Sequence, residues 1–429
     1  MAPRNDISQG QVAYVNARLL DPAAGLDTAG GILTDGEAIT DVGPAVVKKK
    51  APKGARIVDC HGKCLSPGLV DIRVELGDLA ATVEAAVSGG VTSMVCLPTP
   101  ELVIDDMSEV EFVARRARKL GLAKVYPYGA VTKGLEGKEL AEMGLLAEAG
   151  AVAFTDGEKV IADAQVLRRA LTYARTFDLL IIQHPEEPSL ACGVMNAGEV
   201  ATRLGLSGIP PVAESIMVER DIRLVELTGG KLHFAHVSTA DAIDAIRKAK
   251  LKGLRITCDT APPYFALNET SVGEYRTFAK LSPPLRGEKD RQAVVEGIRN
   301  GTIDVIASDH APQDEDSKRL PFSQAAYGGV GLETLLSVTL ELFHNGHMSL
   351  LDVLAKVTCA PADLLGLPAG RLQAGERADF TVFDPNRGWQ VNADDLASKS
   401  KNTPFDGRLV QGVVLRTVID GRTVYRVDN

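Results

Sequence analysis

Four polar side chains stand at the ends of apolar runs that are typical of β-strands. His184 ends LLIIQH, His236 ends KLHFAH, Asp309 lies near the end of IDVIASDH, and Asp156 ends AVAFTD. Histidine nitrogens and carboxylate oxygens are common ligands of zinc, which activates water for hydrolysis. A single strand-end histidine is more often structural, but four such groups together indicate a metal-type hydrolytic site.

A fifth strand-like run, LVDIRVELG at residues 69–77, carries two ionic groups of opposite sign. Arg73 and Glu75 are two residues apart, so their side chains point to the same side of a strand. A cation and an anion that face the same way at the end of an apolar run belong either to an active site or to the remains of one.

A second cluster, Cys60, His61 and Cys64, could suggest a zinc clip. A closed zinc site needs four ligands, and no second pair of ligands lies near this C-x3-C spacing. Structural roles are therefore the simpler interpretation, and the same holds for His344 and His347 in the polar turn FHNGHMS.

Composition limits the classes of function. The 429 residues are 45% apolar and 24% charged, which is typical of a soluble globular protein. The net charge of −9 and the lack of a long basic run argue against a nucleic-acid partner. No apolar stretch is long enough to span a membrane, and the N-terminal residues do not resemble a signal peptide. With six scattered cysteines, we expect a cytoplasmic protein with reduced thiols.

The elements that must position these residues alternate between strand and helix. Eight strand-like runs, beginning with GLVDIRVEL and ending with IDVIASDHAP, are joined by helical segments. Eight such units predict an α/β fold of the TIM type, a (β/α)8 barrel over residues 68–365. Residues 1–67 and 366–429 read as short strands and predict a small composite β-sandwich domain built from both termini. Strand ends converge on one mouth of a barrel, where catalytic groups are usually sited.

The chain resembles the dihydroorotase family of the amidohydrolase superfamily over nearly its whole length. The motifs that carry the resemblance are LSPGLVDIRVEL, GAVTKGLEGKELAEMG, AVAFTDG, IIQHPEEPSLACGVMNAGEVATRLGLSGIP, HFAHVST, LSPPLRGEKDR, IASDHAP and GGVGLET. The resemblance implies zinc at the barrel mouth and the interconversion of carbamoyl aspartate and dihydroorotate in pyrimidine synthesis. It implies metal ligands at His184, His236, Asp156 and Asp309, and a proton-shuttling role for Asp309.

The departures from the family pattern lie at positions that bind the metal or the substrate in the family. The family's first strand reads D-x-H-x-H-L-R, and Arg73 and Glu75 replace its two zinc-binding histidines. The remaining departures are Gly77 for the substrate-clamping arginine, Thr99 for a substrate-binding asparagine, Ser282 for the asparagine of NPPLR and Gln313 for the histidine that closes DHAPH. The metal loop FTDDG has become FTDGEKV, so that one aspartate is missing.

The arginine in the first strand would repel a metal ion. A guanidinium has no lone pair for a metal. At about 4 Å from a dication and an effective dielectric constant of 20, its repulsion is roughly 8 kcal/mol. We therefore expect Arg73 to occupy the vacated metal position and to neutralise Asp309 or Asp156. In the alternative interpretation, Arg73 and Glu75 face solvent at a widened mouth.

Three functions follow from the resemblance. The first is a non-catalytic family member, with Asp309 idle and no zinc or a single weakly held zinc, that forms an oligomer with the catalytic chain of aspartate transcarbamoylase. The second is an active dihydroorotase with a rearranged, mononuclear metal site, to which Lys124 would add a bridging carboxylated lysine if it is not an ordinary solvated charge. The third is a sensor that binds a metabolite of the pyrimidine pathway.

Overall fold

The computed structural model describes residues 10–427. Its strands in chain order are β1 Gln11–Asp21, β2 Leu26–Asp35, β3 Ala38–Gly43, β4 Arg56–Asp59, β5 Cys64–Pro67, β6 Leu69–Val74, β7 Val91–Cys96, β8 Lys124–Pro127, β9 Leu180–Gln183, β10 Met195–Asn196, β11 Gly208–Ile209, β12 Lys231–Phe234, β13 Ile256–Thr260, β14 Val305–Ile306, β15 Phe380–Gln390, β16 Leu409–Ile419 and β17 Arg422–Arg426.

The α-helices lie mainly between the strands of the central segment. They are α1 Leu79–Ser88, α2 Met107–Leu120, α3 Met143–Glu148, α4 Ala164–Thr176, α5 Glu199–Leu204, α6 Val212–Thr228, α7 Ala240–Leu251, α8 Pro262–Ala266, α9 Glu288–Arg299, α10 Glu315–Arg319, α11 Leu335–Thr339, α12 Glu341–His344, α13 Leu350–Ala355 and α14 Cys359–Leu365. Within the described part of the chain, none of these helices combines the length and the apolar character that a membrane span requires.

The sequence explains where a typical helix begins and ends. In α2, Asp106 caps the N-terminus by accepting a hydrogen bond from the amide of Ser108, and Gly121 ends the helix in the left-handed conformation. The buried residues Val110, Val113 and Ala117 recur at helical spacing, so one face of the helix packs on the barrel.

Parallel pairing closes the predicted barrel. The strands β6, β7 and β8 form one set, and β9, β12, β13 and β14 form another. Phe154 joins the two sets through parallel bridges to Gly129 and Ile181, which makes its segment the fourth strand. A bridge from His310 to Val74 brings the last strand back to the first. The prediction of a (β/α)8 barrel is therefore confirmed.

The predicted β domain from both termini is present as well. Hydrogen bonds connect eight strands in the order β17-β16-β15-β5-β1-β2-β3, with β4 also paired to β1. The strands β15 to β17 come from the C-terminal segment and the others from the N-terminal segment. The sheet has its own buried core, which includes Val12, Tyr14, Leu19, Ile32, Leu65, Phe380 and Val418.

An ion pair joins the start of a barrel strand to this sheet. Lys124 begins β8 and contacts the carboxylates of Asp379 and Asp420, the latter at 3.0 Å. Because Lys124 lies at the start of its strand, and the mouth lies at the strand ends, it is not available as a bridging ligand. The suggestion that Lys124 takes part in a metal site is therefore wrong, and so is the picture of a simply solvated charge.

We expect Lys124→Met to lower the free energy of unfolding by about 2 kcal/mol, because it leaves the buried carboxylate of Asp379 without its cation. The matched control is Lys133→Met, which removes an exposed pair with Glu139 and should cost less than about 1 kcal/mol. Urea unfolding of both variants measures the difference. Equal effects would mean that the pair between barrel and sheet does not stabilise the fold.

Candidate functional site at the barrel mouth

Arg73 lies inside the barrel at the mouth. Its side chain is only 2% exposed, and its Nε atom lies 3.3 Å from Oδ1 of Asp309, which follows the last strand. The expected pairing of Arg73 with Asp309 is therefore confirmed, and the alternative in which Arg73 faces solvent is wrong. The Nη1 and Nη2 atoms are buried and find no partner among residues 10–427. We expect ordered water to hydrate them.

His236 extends the ion pair into a chain of buried groups. Its Nε2 lies 3.0 Å from the same Oδ1 of Asp309, and its Nδ1 lies 2.5 Å from Oδ1 of Asp259 at the end of β13. The second oxygen of Asp259 lies 3.1 Å from Nε2 of His233. All four groups therefore connect to Arg73 within one buried cluster.

The charges within this cluster compensate one another. Burial disfavours the charged form of His236, but Asp259 and Asp309 outweigh it and raise the pKa of His236 to about 9. Burial would also raise the pKa of Asp309, yet His236 and Arg73 hold it below its usual value. The pKa of Asp259 is likewise lowered against burial, chiefly by His236. At neutral pH the cluster thus holds two positive groups, Arg73 and His236, and two negative ones.

The carboxyl of Glu75 lies near the charges of the mouth but contacts no partner within residues 10–427. Its amide donates a hydrogen bond to the carbonyl of His310, at 2.8 Å, which helps to close the barrel, but its carboxyl accepts none among residues 10–427. Burial and the nearby charge of Glu158 raise the pKa of Glu75 to about 8, against the opposing effect of Arg73. A carboxyl that is mostly neutral at pH 7 is a weak ligand for a metal and adds little charge to balance Arg73.

His184 is held by ordinary hydrogen bonds. Its Nδ1 lies 3.1 Å from the carbonyl of Ala235, and its Nε2 lies 3.2 Å from the hydroxyl of Ser282. That hydroxyl also lies 3.3 Å from Oε2 of Glu186. Ser282, at one of the departures from the family pattern, therefore fixes the histidine in place, and both ring nitrogens already have partners.

The carboxylate of Asp156 binds a neighbouring loop. Its Oδ1 accepts hydrogen bonds from the amides of Val131 and Thr132, at 3.0 and 2.9 Å, and its Oδ2 accepts one from the Thr132 hydroxyl at 2.5 Å. These contacts fix the loop after β8 instead of presenting the carboxylate to a metal. The next residue, Gly157, has φ +71°, and a Cβ there would lie 2.5 Å from the carbonyl oxygen of Pro98. A second aspartate at 157 would require the backbone to move.

The other departures lie at the rim or in local turns. Thr99 pairs with Leu102, whose amide also lies 3.2 Å from the threonine hydroxyl. Gly77 and Gln313 line one cavity of about 690 Å³ beside the mouth. Neither glycine nor threonine at these positions can supply the bidentate contact that an arginine makes to a carboxylate.

These contacts decide whether the residues fit a zinc ion. The four predicted ligands do not form a common group, and no set of three or more His, Cys, Asp or Glu side chains within residues 10–427 is arranged to hold a metal. Arg73 instead contacts Asp309 where a cation would sit, and the four charges of the cluster already cancel. The residues present therefore do not fit zinc.

Cys60, His61 and Cys64 have structural roles and do not form a zinc clip. Both cysteines are buried free thiols, and burial raises the pKa of Cys60 to about 12 and of Cys64 to about 11. Metal binding requires the thiolate. His61 lies on the surface, 3.6 Å from Asp59.

Two members of the buried cluster, Asp259 and His233, were not among the predicted site residues. Asp259 is the penultimate residue of β13, ITCDT, so it has a strand-end signal like that of His236 and Asp309. A carboxylate that holds a histidine in place is the usual outer partner of a histidine ligand. The strand-end rule, applied to every strand, would have identified Asp259, whereas His233 has no such signal because it lies within β12.

Comparison of the sequence with known proteins shows the family of this chain. The model of the amidohydrolase family matches residues 70–424. A dihydroorotase of Anaplasma phagocytophilum is 45% identical over 97% of this chain and 96% of its own length. A dihydroorotase of Pelobacter propionicus is 44% identical over 96% of this chain and 98% of its own. The chain belongs to the dihydroorotase family. The resemblance found in the motifs is thereby confirmed at the level of the family.

Solved structures agree on the fold of this family member. The dihydropyrimidinase of Brevibacillus agri superposes with a TM-score of 0.83 at 23% identity and covers 97% of this chain and 95% of its own. The L-hydantoinase of Arthrobacter aurescens superposes with a TM-score of 0.84 at 24% identity, with 97% and 96% covered. At these identities the likeness supports the barrel and terminal sheet alone.

Proposed function

We propose that this chain is a non-catalytic member of the dihydroorotase family that serves pyrimidine biosynthesis as a structural partner. The observation that carries the proposal is the buried ion pair between Arg73 and Asp309. It places a guanidinium, which cannot ligate a metal, against the carboxylate that would shuttle the proton. Gly77 removes the substrate clamp independently of the metal.

The partner we propose is the catalytic chain of aspartate transcarbamoylase. The chain resembles degenerate family members that accompany this enzyme, and it keeps the whole barrel and terminal sheet although its mouth has changed. A protein that stays folded but has lost its catalytic activity can still bind another protein. We therefore propose a homo-oligomeric scaffold that stabilises the transcarbamoylase.

The second candidate is an active dihydroorotase, and a specific observation favours it. Relatives that are 45% and 44% identical over nearly the whole chain bear that name. In this case a single zinc would displace Arg73 and engage His184, His236 and Asp309. The retained ion pair and the hydrogen bonds of His184 both oppose that rearrangement.

A metal analysis beside an activity assay separates the two candidates. We expect the purified chain to contain far less than one zinc per molecule and to hydrolyse dihydroorotate no faster than the buffer. The control is an active dihydroorotase purified in parallel. Stoichiometric zinc together with turnover near the usual enzyme range of about 1–10³ s⁻¹ would refute the non-catalytic role.

The scaffold role is tested by co-expression with aspartate transcarbamoylase. We expect the two chains to co-purify and the transcarbamoylase to melt at a lower temperature when this chain is left out, because binding to the folded form stabilises it. Separate elution of the two proteins with unchanged melting would refute the partnership without restoring catalysis to the barrel.

A further inference from the structure

The terminal sheet contains a second cavity, which none of the residues of the mouth cluster lines. Its volume is about 560 Å³. Its charged and polar lining includes Arg387, Arg416, Arg426, Lys63, Asp59 and Asp384, and the apolar wall includes Val58 and Leu415. The size falls within the range of small-molecule sites, which is roughly 300–1,000 Å³.

The register of the sheet brings two arginines together at this cavity. Arg416 on β16 lies directly opposite Arg426 on β17. Arg416 is half-buried, and its pKa is lowered by burial, with the neighbouring charges of Arg426 and Arg56 acting in the same direction.

The carboxylates of the cavity are already engaged. Asp384 accepts a hydrogen bond from Nζ of Lys63 at 2.5 Å and another from the amide of Asn386 at 3.2 Å. Asp59 accepts hydrogen bonds from the side chain of Asn16 and the amide of His61, at 3.0 and 2.8 Å. Neither carboxylate forms an ion pair with Arg416.

Arg416 and Arg387 retain free hydrogen-bonding capacity. Within the part of the chain that the structure describes, Arg416 donates one side-chain hydrogen bond, from Nη1 to the hydroxyl of Thr423 at 2.8 Å. Arg387 is exposed and forms no ion pair within the described residues. A guanidinium has five N–H donors in a planar fork that matches phosphate oxygens, and within residues 10–427 neither of these two arginines pairs with a carboxylate.

We propose that this cavity binds a phosphate-bearing small molecule through Arg416 and Arg387. The apolar wall formed by Val58 and Leu415 offers a surface on which a base or similar ring can lie. The site belongs to the terminal sheet, so it does not depend on whether the barrel mouth is catalytic.

The test is calorimetric titration of the full-length protein with pyrophosphate at constant ionic strength. We expect saturable binding that Arg416→Gln weakens roughly tenfold or more, because a charge-assisted bidentate contact is lost. Arg387→Gln should weaken it by about fivefold, since this exposed side chain is screened by water. The matched control is Arg118→Gln on α2, which removes the same charge from an exposed helix and should leave binding unchanged.

Thermal melting of each variant shows whether Arg416→Gln is folded. If it is not, the exposed Arg387→Gln still decides the outcome. ATP in place of pyrophosphate distinguishes the sources of phosphate: tighter binding of ATP would indicate a nucleotide and equal binding a bare phosphate. No binding up to about 10 mM, or an equal loss in Arg118→Gln, would overturn the proposal.

Discussion

Replacing Arg73 and Glu75 together with histidine is expected to turn this protein into one that binds about one equivalent of zinc. The change removes the guanidinium that contacts Asp309 and adds two neutral imidazoles, two residues apart at the end of β6. Asp309 and His236 are already held at the mouth and can complete a coordination shell. Metal analysis after dialysis against zinc, together with a rise in melting temperature on adding zinc, measures the gain.

The single variants provide the controls for this experiment. Glu75→His keeps the guanidinium and should bind no more zinc than the unmodified chain. Arg73→His removes the repulsion but supplies only one new ligand, so it should bind zinc more weakly than the double variant. Stoichiometric zinc in the unmodified chain, or in Glu75→His alone, would show that Arg73 does not block the metal.

Restored metal should not restore turnover. Gly77 cannot bind the carboxylate of an anionic substrate, and Asp156 is occupied by Thr132. We therefore expect a mononuclear site, without the second ion that the family's missing aspartate would help to hold. A zinc-loaded double variant that stays inactive would separate the loss of the metal from the loss of the substrate clamp.

The fold could be predicted from the sequence because its signals are local. QVAYVNARLLD, for example, coincides with β1, and MSEVEFVARRARKLG contains the whole of α2. The alternation of strands and helices then leaves few topologies. The fourth barrel strand is the weakest element, since AVAFTD pairs through isolated bridges at Phe154 rather than a full ladder. Such weak pairing leaves no distinct mark in the sequence.

The site was predictable only where strand ends determine position. Strand-end geometry places Arg73, His236 and Asp309 together, as expected. Strand-end geometry does not predict which charged side chain is already bonded to a residue of another segment. The partner of Asp156 is Thr132, 24 residues earlier, and the partner of Lys124 is Asp379, 255 residues later. Contacts of this kind depend on the packing of distant segments, which local patterns do not encode.

Asp309→Leu is expected to lower the free energy of unfolding by about 3–5 kcal/mol, because it leaves Arg73 buried with no carboxylate in contact. The leucine has the same branched arrangement of heavy atoms as the aspartate and leaves no empty space, so the cost should come mainly from the unpaired charge rather than from a cavity. Urea unfolding, read as the change in midpoint at constant slope, measures it. A metal-dependent enzyme would respond differently, through lost metal and turnover.

The double variant Arg73→Met with Asp309→Leu completes a thermodynamic cycle. Replacing both members of a buried ion pair by apolar groups is often nearly neutral, so we expect the double variant to recover most of the stability lost in Asp309→Leu. The coupling between the two substitutions would then measure how strongly Arg73 and Asp309 stabilise each other in the folded protein. Strictly additive losses would mean that the two residues do not interact, and the ion pair could no longer support a non-catalytic mouth. Strong coupling that does not depend on metal would show that Asp309 stabilises the fold of this chain by pairing with Arg73. The resemblance assigns the same carboxylate to metal binding and proton transfer in catalytic members of the family.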